Sequence, residues 1–203
     1  PGTGRRGTRR LPVPPRPARL MAALDCLERA RLLVEPALEA AVDRLCPDLR
    51  LPARYHFGWD EHNGSPAGVG AGKGLRPTLA LLSAEAVGAP AEVGVPGAVA
   101  VELVHNFSLV HDDIIDGDTE RRHRATVWSA FGVDDAVISG DALHTLAFQV
   151  LLDDPTPERV VATTRLVDAT AAMIAGQAAD MAFDDRLDVD LEACLAMEAD
   201  KTG

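Results

Sequence analysis

The plainest chemistry in this 203-residue sequence lies in His111-Asp112-Asp113-Ile114-Ile115-Asp116, at the end of the apolar run GAVAVELVHNFSLV. On a helix turning about 100° per residue, positions 112 and 116 fall one turn apart on one face, with position 113 on the adjacent flank. Three carboxylates, Asp112, Asp113 and Asp116, then converge on one edge. Like charges at this spacing repel, and a bound cation would offset the cost. All-oxygen donors favour a hard ion, and Mg2+ would complete its octahedron with water and phosphate oxygens. A solvated helix end is the other reading of this motif taken alone. Five residues beyond Asp116 comes Arg121-Arg122-His123-Arg124. Guanidinium forks beside carboxylates suit a diphosphate, bridged through metal on one side and through Arg on the other.

A second anion cradle lies upstream in Gly70-Ala71-Gly72-Lys73-Gly74-Leu75-Arg76-Pro77. Gly-rich backbone lets amides approach phosphate oxygens, and Lys73 and Arg76, three apart at a helix start, can point together. A Gly-rich loop alone is weak. It gains from the composition, because only Lys73 and Lys201 among the 20 basic residues are lysines. A compact ammonium suits a phosphate at close quarters, although chance retention of two lysines is the competing explanation.

The elements that must position these groups read as helices. MAALDCLERARLLVEPALEAAVDRL has apolar residues at three- and four-residue intervals, which predicts an amphipathic helix pair broken near Pro36. Residues 52–72 read as a Gly- and Pro-rich connection. Helical spacing then persists through RPTLALLSAEAV, GAVAVELVHNFSLVHDDII, DAVISGDALHTLAFQVLL, PERVVATTRLVDATAAMIAGQAADMAF and LEACLAMEA. No run combines β-branched enrichment with strict alternation, so no sheet is expected. The fold class is all-α, a helical bundle.

Composition sets outer bounds. Net charge is −11, yet six of the basic residues and none of the acidic ones fall in residues 1–19, a Pro- and Arg-rich stretch expected to be a disordered leader. The helical domain then covers residues 20–203. An acidic body argues against nucleic acid as a partner, while the leader leaves docking to a negatively charged partner open. No stretch approaches 18 uninterrupted apolar residues, so no membrane span is expected. The three cysteines, Cys26, Cys46 and Cys194, lack metal-type spacing and read as reduced thiols of a cytoplasmic protein.

GAGKGLRP, the DDxxD of VELVHNFSLVHDDIIDGD, RRHRATVW, GDAL, GQAAD and the terminal KTG follow the order and approximate spacing found in trans-isoprenyl diphosphate synthases. The sequence resembles that family from about Tyr55 to Gly203. The resemblance implies prenyl transfer in a helical fold around a deep cavity. It implies that Asp112, Asp113 and Asp116 hold Mg2+ ions chelating an allylic diphosphate. It further implies that Lys73, Arg76, His105 and Arg122 grip isopentenyl diphosphate, and that Arg121, Gln177, Lys201 and Thr202 line the allylic side. A homodimer is expected on the same ground. Two departures stand out: Gly74 where an Arg is common, and His123 where a Gly usually follows the Arg pair.

By the same resemblance, product length is read along the helix ending at Asp112. Ser108 lies one turn below Asp112, and Phe107, roughly 7 Å below along the axis, is a candidate partial floor. This favours the twenty-carbon geranylgeranyl product, with fifteen-carbon farnesyl as alternative. The family's second aspartate-rich motif is not reached before Gly203, and Asp184-Asp185-Arg186-Leu187-Asp188 has the pattern in the wrong order, as expected of an acidic turn between helices. The sequence as written is therefore expected to be weak or inactive, either as part of a longer enzyme or as a non-catalytic binding or regulatory relative. A terpene cyclase would leave Lys73, Arg76, His105 and Arg122 unexplained.

Overall fold

Apolar spacing resolves into eight α-helices in the computed structural model, which describes residues 16–67, 74–183, 186 and 188–202. Helix α1 spans Arg16–Val42 and α2 Pro47–Phe57. Helix α3 is Leu75–Ala86, and a single 3-10 turn at Ala91–Gly94 leads into α4, Val95–Ile115. A hairpin of β1 (Glu120–Arg121) and β2 (Arg124–Ala125) follows, then α5 (Val127–Phe131), α6 (Val133–Leu152), α7 (Pro157–Phe183) and α8 (Leu191–Thr202).

Helix α4 is the axis of the molecule. Val99, Ala100, Leu103 and Val110 on it are at most 1% exposed, and it packs chiefly on α6, then on α3 and α1. With its preceding turn it is long and apolar enough to cross a membrane by length and composition alone. Its apolar residues are nevertheless spent on neighbouring helices, as in the core helix of a globular fold. Buried residues of α1, α2, α3, α4 and α6 form one cluster, and Tyr55, Val110, Val127 and Ala136 a smaller one beneath the hairpin.

Four expectations change. Helix α1 runs unbroken through Pro36. A proline inside a helix costs about 3 kcal/mol, but Val34, Leu38, Ala41 and Val42 around it are all buried, and burial of that apolar face outweighs the lost hydrogen bond. The same helix starts at Arg16, inside the stretch read as leader, whose residues 1–15 lie outside those described. Residues 52–57, read as connection, are the second half of α2, which tolerates Pro52 because Ala53, Tyr55 and Phe57 are buried. Gly58, at φ 79°, ends that helix in the left-handed conformation glycine favours.

The fourth change is the hairpin. Its register pairs Glu120 with Ala125 and Arg121 with Arg124, leaving Arg122 and His123 as a two-residue turn at φ 53° and 64°. Such turns normally carry Asn or Gly. The sequence lacks that signal, so the strands were not legible.

Candidate active site

Helix α4 terminates where the carboxylates stand. Asp116 caps it, its N–H bonded to Asp112 O at 2.8 Å, and Gly117 at φ 69° turns the chain toward the hairpin. Asp112 and Asp116 share one face a turn apart. Asp113 does not join them: it is 1% exposed, and both Nε and Nη2 of Arg121 reach its Oδ1, at 2.8 and 2.7 Å. The expected convergence of three carboxylates is therefore a convergence of two. The physical reason is the 100° step, which turns Asp113 inward, where burial demands a cationic partner. Burial raises the pKa of Asp113 against the opposing pull of Arg121. It also raises that of Asp112, aided by Asp116 and Asp113 and opposed by Lys201.

The four residues of the basic run differ in partners. Arg124 fastens the hairpin to the carbonyl end of α2, through Asp60 O at 2.9 Å and Tyr55 O at 3.3 Å, and stacks 4.3 Å over the Tyr55 ring. The Tyr55 hydroxyl returns a bond to Ala125 O at 2.9 Å. Arg121 is committed to Asp113, and the His123 side chain is fully exposed. Arg122 has no hydrogen bond or ion pair among the described residues and lines a pocket with Tyr55, His56, Asp113, Arg121 and Arg124.

Arg76, from the first turn of α3, meets His105 of α4, its Nη1 3.3 Å from His105 Nε2. Burial, then Arg76 and Arg122, lower the His105 pKa to about 4. Burial and Arg122 likewise lower His56 to about 3. Lys73 lies outside the described residues, as do Asp184, Asp185 and Leu187 of the acidic turn, and Gly203.

Helices α7 and α8 bring a further group together. Gly176 lets them touch, since a Cβ there would sit 2.4 Å from the Lys201 backbone N. Lys201 pairs with Asp180 at 2.5 Å. That bond raises its ammonium pKa, and the charges of Asp112 and Asp116 add to the effect. Gln177 Oε1 is buried without a partner among the described residues, and the Thr202 hydroxyl donates to Glu198 O at 2.8 Å. Ser108 donates to His105 O, while Phe107 is buried against His111 and His144 and so points away from the Asp112 face.

Sequence reasoning missed His56, Asn106, Glu102 and Asp180. Asp180 could have been found from its place in GQAAD, three residues after Gln177. His56 had no local signal, because its importance comes from α4 across the helix interface.

Among the described residues no three carboxylate, imidazole or thiol groups cluster closely enough to enclose a metal. Two carboxylates one turn apart fit Mg2+ all the same, an ion that keeps waters and takes phosphate oxygens instead of a closed protein cage.

Residues 67–203 match the family model described as polyprenyl synthetase. The (2E,6E)-farnesyl diphosphate synthase of Mycobacterium tuberculosis is 48% identical over 179 residues, covering 88% of this chain and 50% of that protein. The geranylgeranyl diphosphate synthase of the same organism is 40% identical over 189 residues, covering 92% and 53%. Among solved structures, a polyprenyl synthetase from Streptomyces coelicolor superimposes with a TM-score of 0.85 at 54% identity, covering 88% of this chain and 53% of that one. The chain thus spans about half the length of the curated relatives it matches.

Proposed function

The chain belongs to the polyprenyl synthetase family, and on that premise we propose that the protein carrying it is a short-chain prenyl diphosphate synthase, joining isopentenyl diphosphate to an allylic diphosphate. The observation behind this reading is the division of charge along α4. Asp112 and Asp116 face Lys201 at its end, and two turns earlier His105 meets Arg76 within the influence of Arg122, which has no partner among the described residues.

Arg76, Arg122 and, by family resemblance, Lys73 hold the diphosphate of isopentenyl diphosphate, with neutral His105 accepting from Arg76 to aim it. Asp112 and Asp116 would hold Mg2+, which when bound neutralises charge on the allylic diphosphate as it leaves. Asp113 serves by fixing Arg121. Lys201 offers its ammonium to the same diphosphate, restrained by Asp180 until an anion competes. As the allylic carbon–oxygen bond breaks, the Gln177 oxygen and the remaining lone pair of Thr202 stabilise the cation without capturing it. The double bond of isopentenyl diphosphate then attacks that carbon, and the departed diphosphate takes the proton lost in restoring a double bond.

Ser108, small and partly open beneath Asp112, supports a twenty-carbon product. The 48% identity to a farnesyl synthase supports fifteen carbons as the second reading. Incubating the protein with labelled isopentenyl diphosphate and an allylic diphosphate tests the reaction, and chromatography of the product tests the length. A product without label would mean cyclisation instead of condensation. A homodimer in the cytoplasm completes the proposal, and sedimentation checks the assembly.

A further inference from the structure

Beside the cation cluster lies a hydrogen-bonded chain that the reaction above does not use. His56 Nε2 is 3.1 Å from Asn106 Oδ1, and Asn106 Nδ2 donates to Glu102 O at 2.8 Å and to Glu102 Oε1 at 3.2 Å. Asn106 is 2% exposed, so its amide orientation is fixed by these two acceptors. Its oxygen must then face His56, and an oxygen acceptor requires the imidazole proton on Nε2. The remaining ring nitrogen, Nδ1, carries a lone pair and has no partner among the described residues. His56 lines the pocket that holds Arg122, which is equally without a partner among those residues. An unpaired acceptor and an unpaired donor fork thus share one pocket wall. Protonation would destroy this arrangement, and the surrounding Arg122, Arg121 and His105 act against it.

We propose that His56 is a positioning residue for Arg122: the chain Glu102–Asn106–His56 locks the imidazole in its Nε2-protonated form, and Nδ1 accepts a guanidinium N–H that turns Arg122 toward a bound diphosphate. The proposal rests on the reading of this pocket as the grip for isopentenyl diphosphate. It gives Asn106, a buried amide in the middle of an apolar helix, a function that packing alone does not.

The test is the affinity of the chain for isopentenyl diphosphate by calorimetry in metal-free buffer, where the carboxylate edge is silent. Arg122→Gln should weaken binding by about tenfold or more, the usual effect of losing a charge-assisted hydrogen bond. His56→Asn places an oxygen near the position of Nδ1 and should stay within about threefold of wild type. His56→Gln keeps a donor toward Asn106 but loses that acceptor, and with His56→Phe it should weaken binding by about tenfold. The opposite order, with Gln tolerated and Asn not, would mean that His56 only braces Asn106 and would overturn the proposal. Weakening by Arg122→Gln with all three His56 variants at wild-type affinity overturns the positioning role and leaves the grip standing. A wild-type chain that does not bind, or indifference to Arg122→Gln, overturns the grip and the proposal with it. Long-range nitrogen–proton correlation on the unliganded wild-type chain is independent of folding losses: an Nε2–H tautomer of His56 is expected, and an Nδ1–H tautomer contradicts the proposal.

Discussion

Partners decide what each charged residue is for, and the run from Arg121 to Arg124 shows it within four positions. Arg124 is structural, Arg121 is bound to a buried carboxylate, and Arg122 has no partner among the described residues. His123 contributes a strained backbone, at φ 64°, and a fully exposed side chain whose one contact among the described residues is Glu120 Oε1 at 3.8 Å. His123→Gly should therefore stabilise the protein by about 0.5–1 kcal/mol, read as a rise in Tm. A fall in Tm would show that the exposed contact with Glu120 outweighs the backbone strain. The buried histidines make a second prediction. His56 and His105 titrate well below their usual value, so they are neutral when folded and take up protons on unfolding below about pH 6.5. Their stabilisation is complete above that pH and is lost as pH falls toward about 4. The raised carboxyls of Glu102, Asp112 and Asp113 act oppositely, costing stability as pH rises through their folded values. Tm should drop between pH 7 and 5, and less steeply in His105→Gln.

Helices were legible where apolar spacing was uninterrupted, as in α4, α6 and α7. They were illegible where proline suggested a stop, because burial around Pro36 and Pro52 overrides a local penalty that sequence can see. The order of motifs along the chain identified the candidate site. It could not tell that Asp113 turns away from Asp112 and Asp116, or that His56 of α2 meets Asn106 of α4, since both facts depend on how helices pack. Contact between α7 and α8 depends on a missing side chain at Gly176. A methyl group there would meet the Lys201 backbone, which cannot swing aside as a side chain could. Gly176→Ala should cost about 1–3 kcal/mol and part Lys201 from Asp180. Unfolding midpoints of wild type and variant check this, and equal midpoints would contradict the close approach.

For the molecule as a whole, the proposed function has the helical bundle hold two kinds of diphosphate site at fixed separation along α4. One consists of carboxylates that need a metal before they can meet an anion. The other consists of guanidinium and imidazole groups that need none. On that reading, half the length of the relatives carries both arrangements, so ligand binding can be asked of the chain itself. The most direct measurement is a paired titration of an unreactive allylic diphosphate analogue and of isopentenyl diphosphate, each with and without Mg2+. The allylic analogue should bind only with Mg2+ and lose that dependence in the Asp112→Asn, Asp116→Asn double variant. Isopentenyl diphosphate should bind without Mg2+ and be unaffected by that variant. Equal Mg2+ dependence for both ligands, or an allylic site indifferent to the two aspartates, would contradict it.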